Sequence, residues 1–357
     1  MSIDLALTEL HRTEGARLRD SAGWWEPADY GDVAAEHRAV MTGGGLIDRC
    51  AVGKATVTGR DRTAFLQGML SNDVKGLKPG QGCPAAFLDA HGKVVSLLAL
   101  YVLEESILLE LPAGSTEKFL QAIDKFLISE KAYFEAADEA FAVIAVQGPK
   151  AADVLGLVTG ASPDLASYAH TEDSVGGAPV RVINRTEAVT PGFHCWTSPD
   201  HAVRLWTALR DAGAVPVGAE AAEILRVEAG IARYGQDVDE TVILPETRLD
   251  TLVSYTKGCY IGQETVARVK YRGHINRGLS GFVLEGDDVP SAGTPVLAGD
   301  KEIGRVTSAV RSLALGKPIA LGYVRREHFE PGSAVSLKVS DRLVNARVSA
   351  LPFVTLP

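Results

Sequence analysis

The chain has 357 residues, of which 36 are Lys or Arg and 45 Asp or Glu, for a formal net charge of −9; 46% of it is hydrophobic. This is the composition of a folded chain with material for two or three packing units. It excludes a general nucleic-acid coat, which needs many cations to displace phosphate counterions, and no apolar run approaches the roughly 20 residues of a bilayer helix.

The spacing predicts helices over 4–20 and 32–41, with Trp24, Trp25 and Pro27 in the loop between them. From Lys54 the pattern changes to strands and short helices: strand 55–58, helix 61–70, strands 85–88, 93–103 and 106–111, a helix over 116–128 with Ser115 as N-cap, then strands 132–135 and 142–146. That order matches a β-α-β-β-α-β unit with an added hairpin. After Gly148-Pro149 a helix runs to Leu157, followed by strands 179–184 and 193–197 and amphipathic helices 199–211 and 219–229. Residues 230–254 lack periodicity and read as a long folded loop, a kind of segment that often carries function. Beyond Gly278 six short strands divided by Gly and Pro predict a small barrel or jelly roll.

Residues 1–15 carry Asp4, Glu9, His11, Arg12 and Glu14, which fits neither a secretory signal nor a transit peptide; a cytoplasmic protein without membrane contact is expected. Cys50, Cys83, Cys195 and Cys259 lie far apart with no C-x-x-C pair. No disulfide framework, clustered iron–sulfur site or stably bound metal is therefore expected.

The most unusual stretch is Lys257-Gly258-Cys259-Tyr260-Ile261-Gly262-Gln263-Glu264, continuing through Arg268, Lys270, Arg272 and Arg277. Residues 257–278 carry a net +4, so the rest of the chain sums to −13. Taken alone, Cys259 is either a buried small hydrophobe or a reactive thiol. In the second case Lys257, the downstream arginines and a helix opening at Gly262-Gln263-Glu264 would favour its thiolate. His91, His194 and His201 stand isolated and read as satisfied or solvated side chains.

The string K-G-C-Y-I-G-Q-E followed by A-R-V-K-Y-R-G resembles the signature of the YgfZ family, folate-binding proteins related to the glycine cleavage T-protein (aminomethyltransferase). The resemblance extends to Gly45–Asp48, to Gly59–Val74 with its Asn72-Asp73 turn, and to Arg226-Val227-Glu228-Ala229-Gly230. It implies an α+β, T-protein-like three-part architecture. Residues 1–53 and 139–273 would form a folate-binding subdomain, 54–138 a ferredoxin-like subdomain, and 274–357 a C-terminal β-barrel. It implies tetrahydrofolate or a one-carbon derivative as ligand, contacted by Glu228 at the pterin and by Asn72, Asp73 and Arg268. Cys259 and Lys257 would be the catalytic pair, within a motif completed by Gly258, Tyr260, Gly262, Gln263 and Glu264. The implied role is assembly or repair of iron–sulfur proteins, with such client or assembly proteins as partners. The alternatives are a folate-dependent one-carbon transferase, either aminomethyltransferase or demethylase, and a non-catalytic folate-binding scaffold.

Two departures from T-proteins bear on that choice. Where they carry a paired Asp-Asp after the glycine of one strand, this chain has Ser96 and Leu97, which removes the expected acid/base group. The T-protein segment R-T-G-x-T-G-E-x-G-F-E is eroded to Arg185-Thr186-Glu187-Ala188-Val189-Thr190-Pro191-Gly192-Phe193-His194.

Overall fold

The computed structural model describes residues 3–21, 23–340 and 342–356. The chain opens with α1 (Thr8–Thr13), β1 (Arg17–Ser21), β2 (Trp24–Asp29), α2 (Val33–Thr42) and β3 (Gly45–Asp48). The helix expected over 4–20 is thus a short helix and half a hairpin. Gly15 takes φ +80°, a left-handed turn that ends α1, and β1 then pairs antiparallel with β2, which contains both tryptophans. The helix expected over 32–41 is present as α2, and the Asp32 carboxylate accepts from the Ala35 N–H at 3.0 Å.

Next come β4 (Gly53–Thr58), α3 (Arg62–Met69), β5 (Gly82–Leu88), β6 (Val94–Val102), β7 (Ile107–Leu111), α4 (Thr116–Asp124) and β8 (Tyr133–Ala136). Their antiparallel sheet has the order β5-β6-β7-β4-β8. This is the ferredoxin-like order with β5 added at one edge, as expected from the pattern. Ser115 stands at the N-cap of α4 as expected, but its hydroxyl donates to the Pro112 carbonyl and caps no helical N–H.

The chain then returns to the first unit with β9 (Ala142–Gln147), α5 (Ala151–Thr159), β10 (His170–Val175), β11 (Ala178–Asn184), β12 (Gly192–Thr197), α6 (Pro199–Asp211), β13 (Val215–Val217) and α7 (Ala219–Glu228). The sheet order β10-β11-β12-β9-β3-β13 places β3 and β9, nearly a hundred residues apart, side by side. Strand β10 escaped the sequence pattern because its Thr-Glu-Asp-Ser run sits on the sheet edge, where polar residues are tolerated.

Residues 230–262 fold as a loop with two short 3₁₀ turns and lead into α8 (Gln263–Arg272). Strands β14 (Arg277–Leu284), β15 (Pro295–Ala298), β16 (Lys301–Arg311), β17 (Pro318–Arg325), β18 (Ala334–Val339) and β19 (Arg342–Ser349) close the barrel β14-β17-β16-β15-β18-β19. Among the described residues, no helix is long and apolar enough to cross a membrane.

Two buried polar ties bolt the barrel to the core. The Arg226 guanidinium donates to Asp237 Oδ2 at 2.8 Å and to Ser308 Oγ at 2.8 Å, and Ser308 returns a bond to Asp237 Oδ1. Glu228, fully buried at the end of α7, forms the second tie. One carboxylate oxygen accepts from Ser312 Oγ at 2.6 Å and from the Ala314 N–H, and the other meets His37 Nε2 at 2.7 Å.

Candidate active site

Glu228, expected at the pterin, is engaged in this tie. Both of its carboxylate oxygens face protein donors and the side chain is wholly buried. Burial pushes this carboxyl up, but His37 and Ser312 more than reverse that and leave it below the ordinary value. Its work is to join α2, α7 and the barrel.

The Lys257–Glu264 segment also turns out to be chiefly a fastening. Helix α3 ends at Met69 and leaves its last carbonyls without helical donors. Lys257 Nζ supplies them, donating to the carbonyls of Gln67 (2.7 Å), Leu70 (2.6 Å) and Asn72 (2.8 Å). Three bonds spend all three ammonium protons. Burial lowers the Lys257 pKa to about 8. Tyr260 packs into an apolar cluster with Leu88, Val94, Leu252 and Val266, and its ring lies 5.1 Å from Lys257 Nζ. Gly262 takes φ +81° against the β5–β6 turn, where a Cβ would come within 2.6 Å of the Asp89 carbonyl oxygen. Gln263 and Glu264 open α8 as expected.

The Lys257 ammonium is thus turned into the end of α3. Cys259 is not a core residue: it is exposed, on the loop before α8. Nothing crowds Gly258, where an added Cβ would meet open space. Asn72 and Asp73 also make hydrogen bonds within the protein. Asn72 Nδ2 donates to the carbonyls of Pro84 and Thr251, and Asp73 Oδ1 accepts from Gln67 Nε2 at 2.9 Å. Arg268 lies exposed on α8.

A further array of titratable groups lies between the two α+β sheets. Glu110 on β7 stands in a strand whose residues are all buried. Its Oε2 meets His194 Nδ1 of β12 at 3.1 Å and accepts from the Tyr101 hydroxyl at 3.1 Å, and its Oε1 lies 3.4 Å from Arg185 Nε. Arg185 also donates to the Tyr168 hydroxyl at 2.7 Å. On the other side of the imidazole, Glu187 Oε1 lies 3.3 Å from His194 Nε2 and 2.9 Å from Arg49 Nη2.

Burial alone would neutralise these acids. His194 and Arg185 outweigh it at Glu110 and hold that carboxyl down at about 2. At Glu187, Arg49 and His194 likewise outweigh burial and hold the carboxyl below its ordinary range. Burial presses the His194 pKa down, and the two carboxylates reverse this and raise it.

Three donors at or near this junction remain unmatched. His194 Nε2 lies at ion-pair distance from Glu187 without hydrogen-bond alignment, and Arg49 Nε and the wholly buried Thr190 hydroxyl have no partner among the described residues. Arg49 and Glu187 are the accessible members, their side chains 33% and 20% exposed, whereas His194 and Glu110 lie beneath at 0% and 5%. The array can therefore present a carboxylate and a guanidinium side by side over a buried, ionised base. Strand alternation puts Leu97 on the face of β6 that carries Ala99 and Tyr101, and Ala99 pairs with Glu110. Leu97 shares that face but packs against the cluster of Leu88, Val94, Leu244 and Tyr260, while Ser96 is buried with its hydroxyl on the Leu97 carbonyl.

Sequence reading missed this junction because its members are 145 residues apart from Arg49 to His194. The available signal was Glu110 itself, a charge inside the apolar run Ile-Leu-Leu-Glu-Leu, which a strand buries only with partners.

Comparison with known proteins agrees with this architecture. The family description "GCVT N-terminal domain" matches residues 7–257, and "Glycine cleavage T-protein C-terminal barrel domain" matches residues 277–355. An aminomethyltransferase of Streptomyces avermitilis is 34% identical over 358 residues, covering 98% of this chain and 96% of the relative. One from Rubrobacter xylanophilus is 36% identical over 350 residues, 97% of this chain and 93% of the relative. The crystal structure of the glycine cleavage system aminomethyltransferase T from Bartonella henselae superposes with a TM-score of 0.92 at 25% identity, covering 100% of this chain and 99% of that one. These near full-length matches overturn the expected iron–sulfur assembly role: the relatives are aminomethyltransferases, and the T-protein side of the resemblance is the one supported.

Proposed function

Because the chain belongs to the glycine cleavage T-protein family, we propose that it is a folate-dependent one-carbon transferase of the aminomethyltransferase type, with tetrahydrofolate held at the Arg49–Glu187–His194 junction. Tetrahydrofolate, when bound, supplies the nitrogens that accept the one-carbon unit. The observation that carries the site is the coincidence of an accessible carboxylate–guanidinium pair with unmatched buried donors. Both close contacts of Glu187 fall on Oε1, which leaves Oε2 to accept from the N–H groups of a pterin edge. The Arg49 guanidinium, a third exposed, would face the ligand. Arg233, nearly half-exposed and close enough to feel the charge of Arg49, adds attraction for the anionic glutamate tail.

Glu110 and His194 act from below. Glu110 holds the imidazole at Nδ1, and the imidazole in turn faces Glu187, so both carboxylates stay ionised and oriented. An ionised Glu110 accepts hydrogen bonds but gives no proton near neutral pH. With Leu97 where T-proteins place an acid, proton transfer to the departing group has no dedicated side chain. The reading is therefore of a transferase with a weakened acid/base step.

The test is direct titration with tetrahydrofolate, followed by an assay of methylene-tetrahydrofolate formation from an aminomethylated lipoyl carrier protein. Binding lost in Glu187→Gln, together with protein-dependent turnover, supports the reading. Binding without any turnover removes the transferase, and absence of binding removes the folate site.

A further inference from the structure

Arg49, the guanidinium of the proposed ligand site, stands on the crossover 49–52 that carries the chain from β3 in one sheet to β4 in the other. Its side chain is 33% exposed, so packing alone does not fix it. Where the guanidinium points depends on how the loop beneath it is held.

That loop is gripped along its backbone. The Arg49 N–H donates to the Val143 carbonyl of β9 at 2.9 Å, and the Arg49 carbonyl accepts from the Val52 N–H at 3.1 Å. The Cys50 N–H donates to Asp48 Oδ1 at 2.7 Å, while the other Asp48 oxygen meets His11 Nε2 at 3.0 Å. The Cys50 carbonyl accepts from Lys54 Nζ of β4, also at 2.7 Å. One residue beyond Arg49, the chain is thus held at both its N–H and its C=O by buried charged side chains.

Lys54 is an unusual residue for that task. It is 1% exposed and stands in register with Glu110 of β7, on the face of the sheet that meets the junction. Among the described residues the Cys50 carbonyl is its one hydrogen-bond acceptor, and no carboxylate lies at ion-pair distance. An ammonium buried with so few partners is destabilising. Burial presses its pKa down, and Cys50, Asp138, Asp48 and Glu110 oppose this. The Lys54 N–H donates to Asp138 Oδ1 at 2.8 Å, so the root of the side chain is anchored as well. A hydrocarbon side chain would fill the same space without the desolvation cost. What only the ammonium adds is its bond to the loop.

We propose that Lys54 is a positioning residue for the Arg49 guanidinium: with Asp48 it clamps Cys50, and so fixes the loop that aims Arg49 at the ligand beside Glu187. That the ligand is tetrahydrofolate rests on the reading above; the clamp itself does not. Supporting contacts of this kind decide whether a binding group is held in its productive geometry.

Two measurements on the full-length chain test it. Native-state amide exchange reads the clamp without ligand: Lys54→Met should speed exchange at Cys50 and Val52 by roughly tenfold and leave the β12 amides as in wild type. Titration with tetrahydrofolate reads the consequence. Lys54→Met should lose about tenfold in affinity, about 1.4 kcal/mol, and in the aminomethyl assay its KM should rise while kcat is kept. In an Arg49→Ala background the same substitution should change affinity by less than about twofold, because the group that Lys54 aims is gone. Val306→Ala, a cavity in the barrel core, should lower stability and keep wild-type affinity. If Lys54→Met does not fold, Lys54→Gln, whose amide falls short of the reach of the ammonium, carries the same tests. An equal loss of affinity with and without Arg49 would overturn the proposal, as would unchanged exchange at Cys50 or wild-type affinity in Lys54→Met. Absence of tetrahydrofolate binding by wild type removes the folate reading alone, and exchange at Cys50 then decides the clamp.

Discussion

The Lys257–Glu264 segment and the Glu110–His194–Glu187 junction both gather charge, and they differ in where that charge is spent. Lys257 gives its three protons to the carbonyls at the end of α3, so the most distinctive motif of the chain holds a helix to a loop. The junction keeps unmatched donors at Arg49 Nε and His194 Nε2. A charged residue is available for chemistry only while its hydrogen-bonding capacity is not consumed by its own backbone, and that cannot be judged from residue type.

The sharpest contrast is with Glu228, which the structure places in a tie. Glu228→Ala leaves His37 and Ser312 buried without their partner and should cost about 3–5 kcal/mol of stability, read from urea denaturation, while the folded fraction keeps its folate affinity. If affinity collapses in protein that remains fully folded, Glu228 belongs to the ligand after all. Leu97→Asp returns an acid to the position where T-proteins carry one and should raise aminomethyl turnover about a hundredfold. An unchanged kcat would show that proton transfer does not limit this chain.

Lys257→Met strips the end of α3 of its donors and should cost about 2 kcal/mol, the scale of hydrogen bonds to a charged group, visible as a lowered denaturation midpoint. The junction should instead announce itself through pH. Glu110, held at about 2 against about 4.3 for the free side chain, contributes stability that is complete above the unfolded value and is lost as pH falls through the folded one. His194, raised by its two carboxylates, contributes stability present below about pH 6.5 and lost as pH rises through its folded value. His194→Gln should therefore flatten the stability profile above that pH and leave an acid limb. A mutant profile that overlays wild type on the alkaline side would remove the imidazolium from the account. The smallest effect belongs to Cys259→Ser: its exposed side chain predicts a change within about 0.5 kcal/mol and unchanged tetrahydrofolate affinity by titration.

Much of the fold was legible because it rests on local periodicity. The alternation in β5 to β7, the 3.6-residue pattern of α6 and α7, and the Gly/Pro-divided strands after Gly278 each announce an element without knowledge of its neighbours. The first hairpin was not legible, since a single left-handed glycine at position 15 converts an apparently continuous helix into a turn. Strand β10 was hidden by its polar edge.

The amino-acid sequence by itself determined the α+β class, the ferredoxin-like order of the second unit, the barrel and the kinship with T-proteins, all of which follow from patterns within a few tens of residues. Only the tertiary structure decided that Lys257 and Glu228 are fastenings and that His194, isolated in the sequence, sits between two carboxylates from different strands and loops. The reason is physical: the state of a buried charge depends on the groups within a few ångströms, and in this chain those groups come from strands joined only when β3, β7, β9 and β12 pack together.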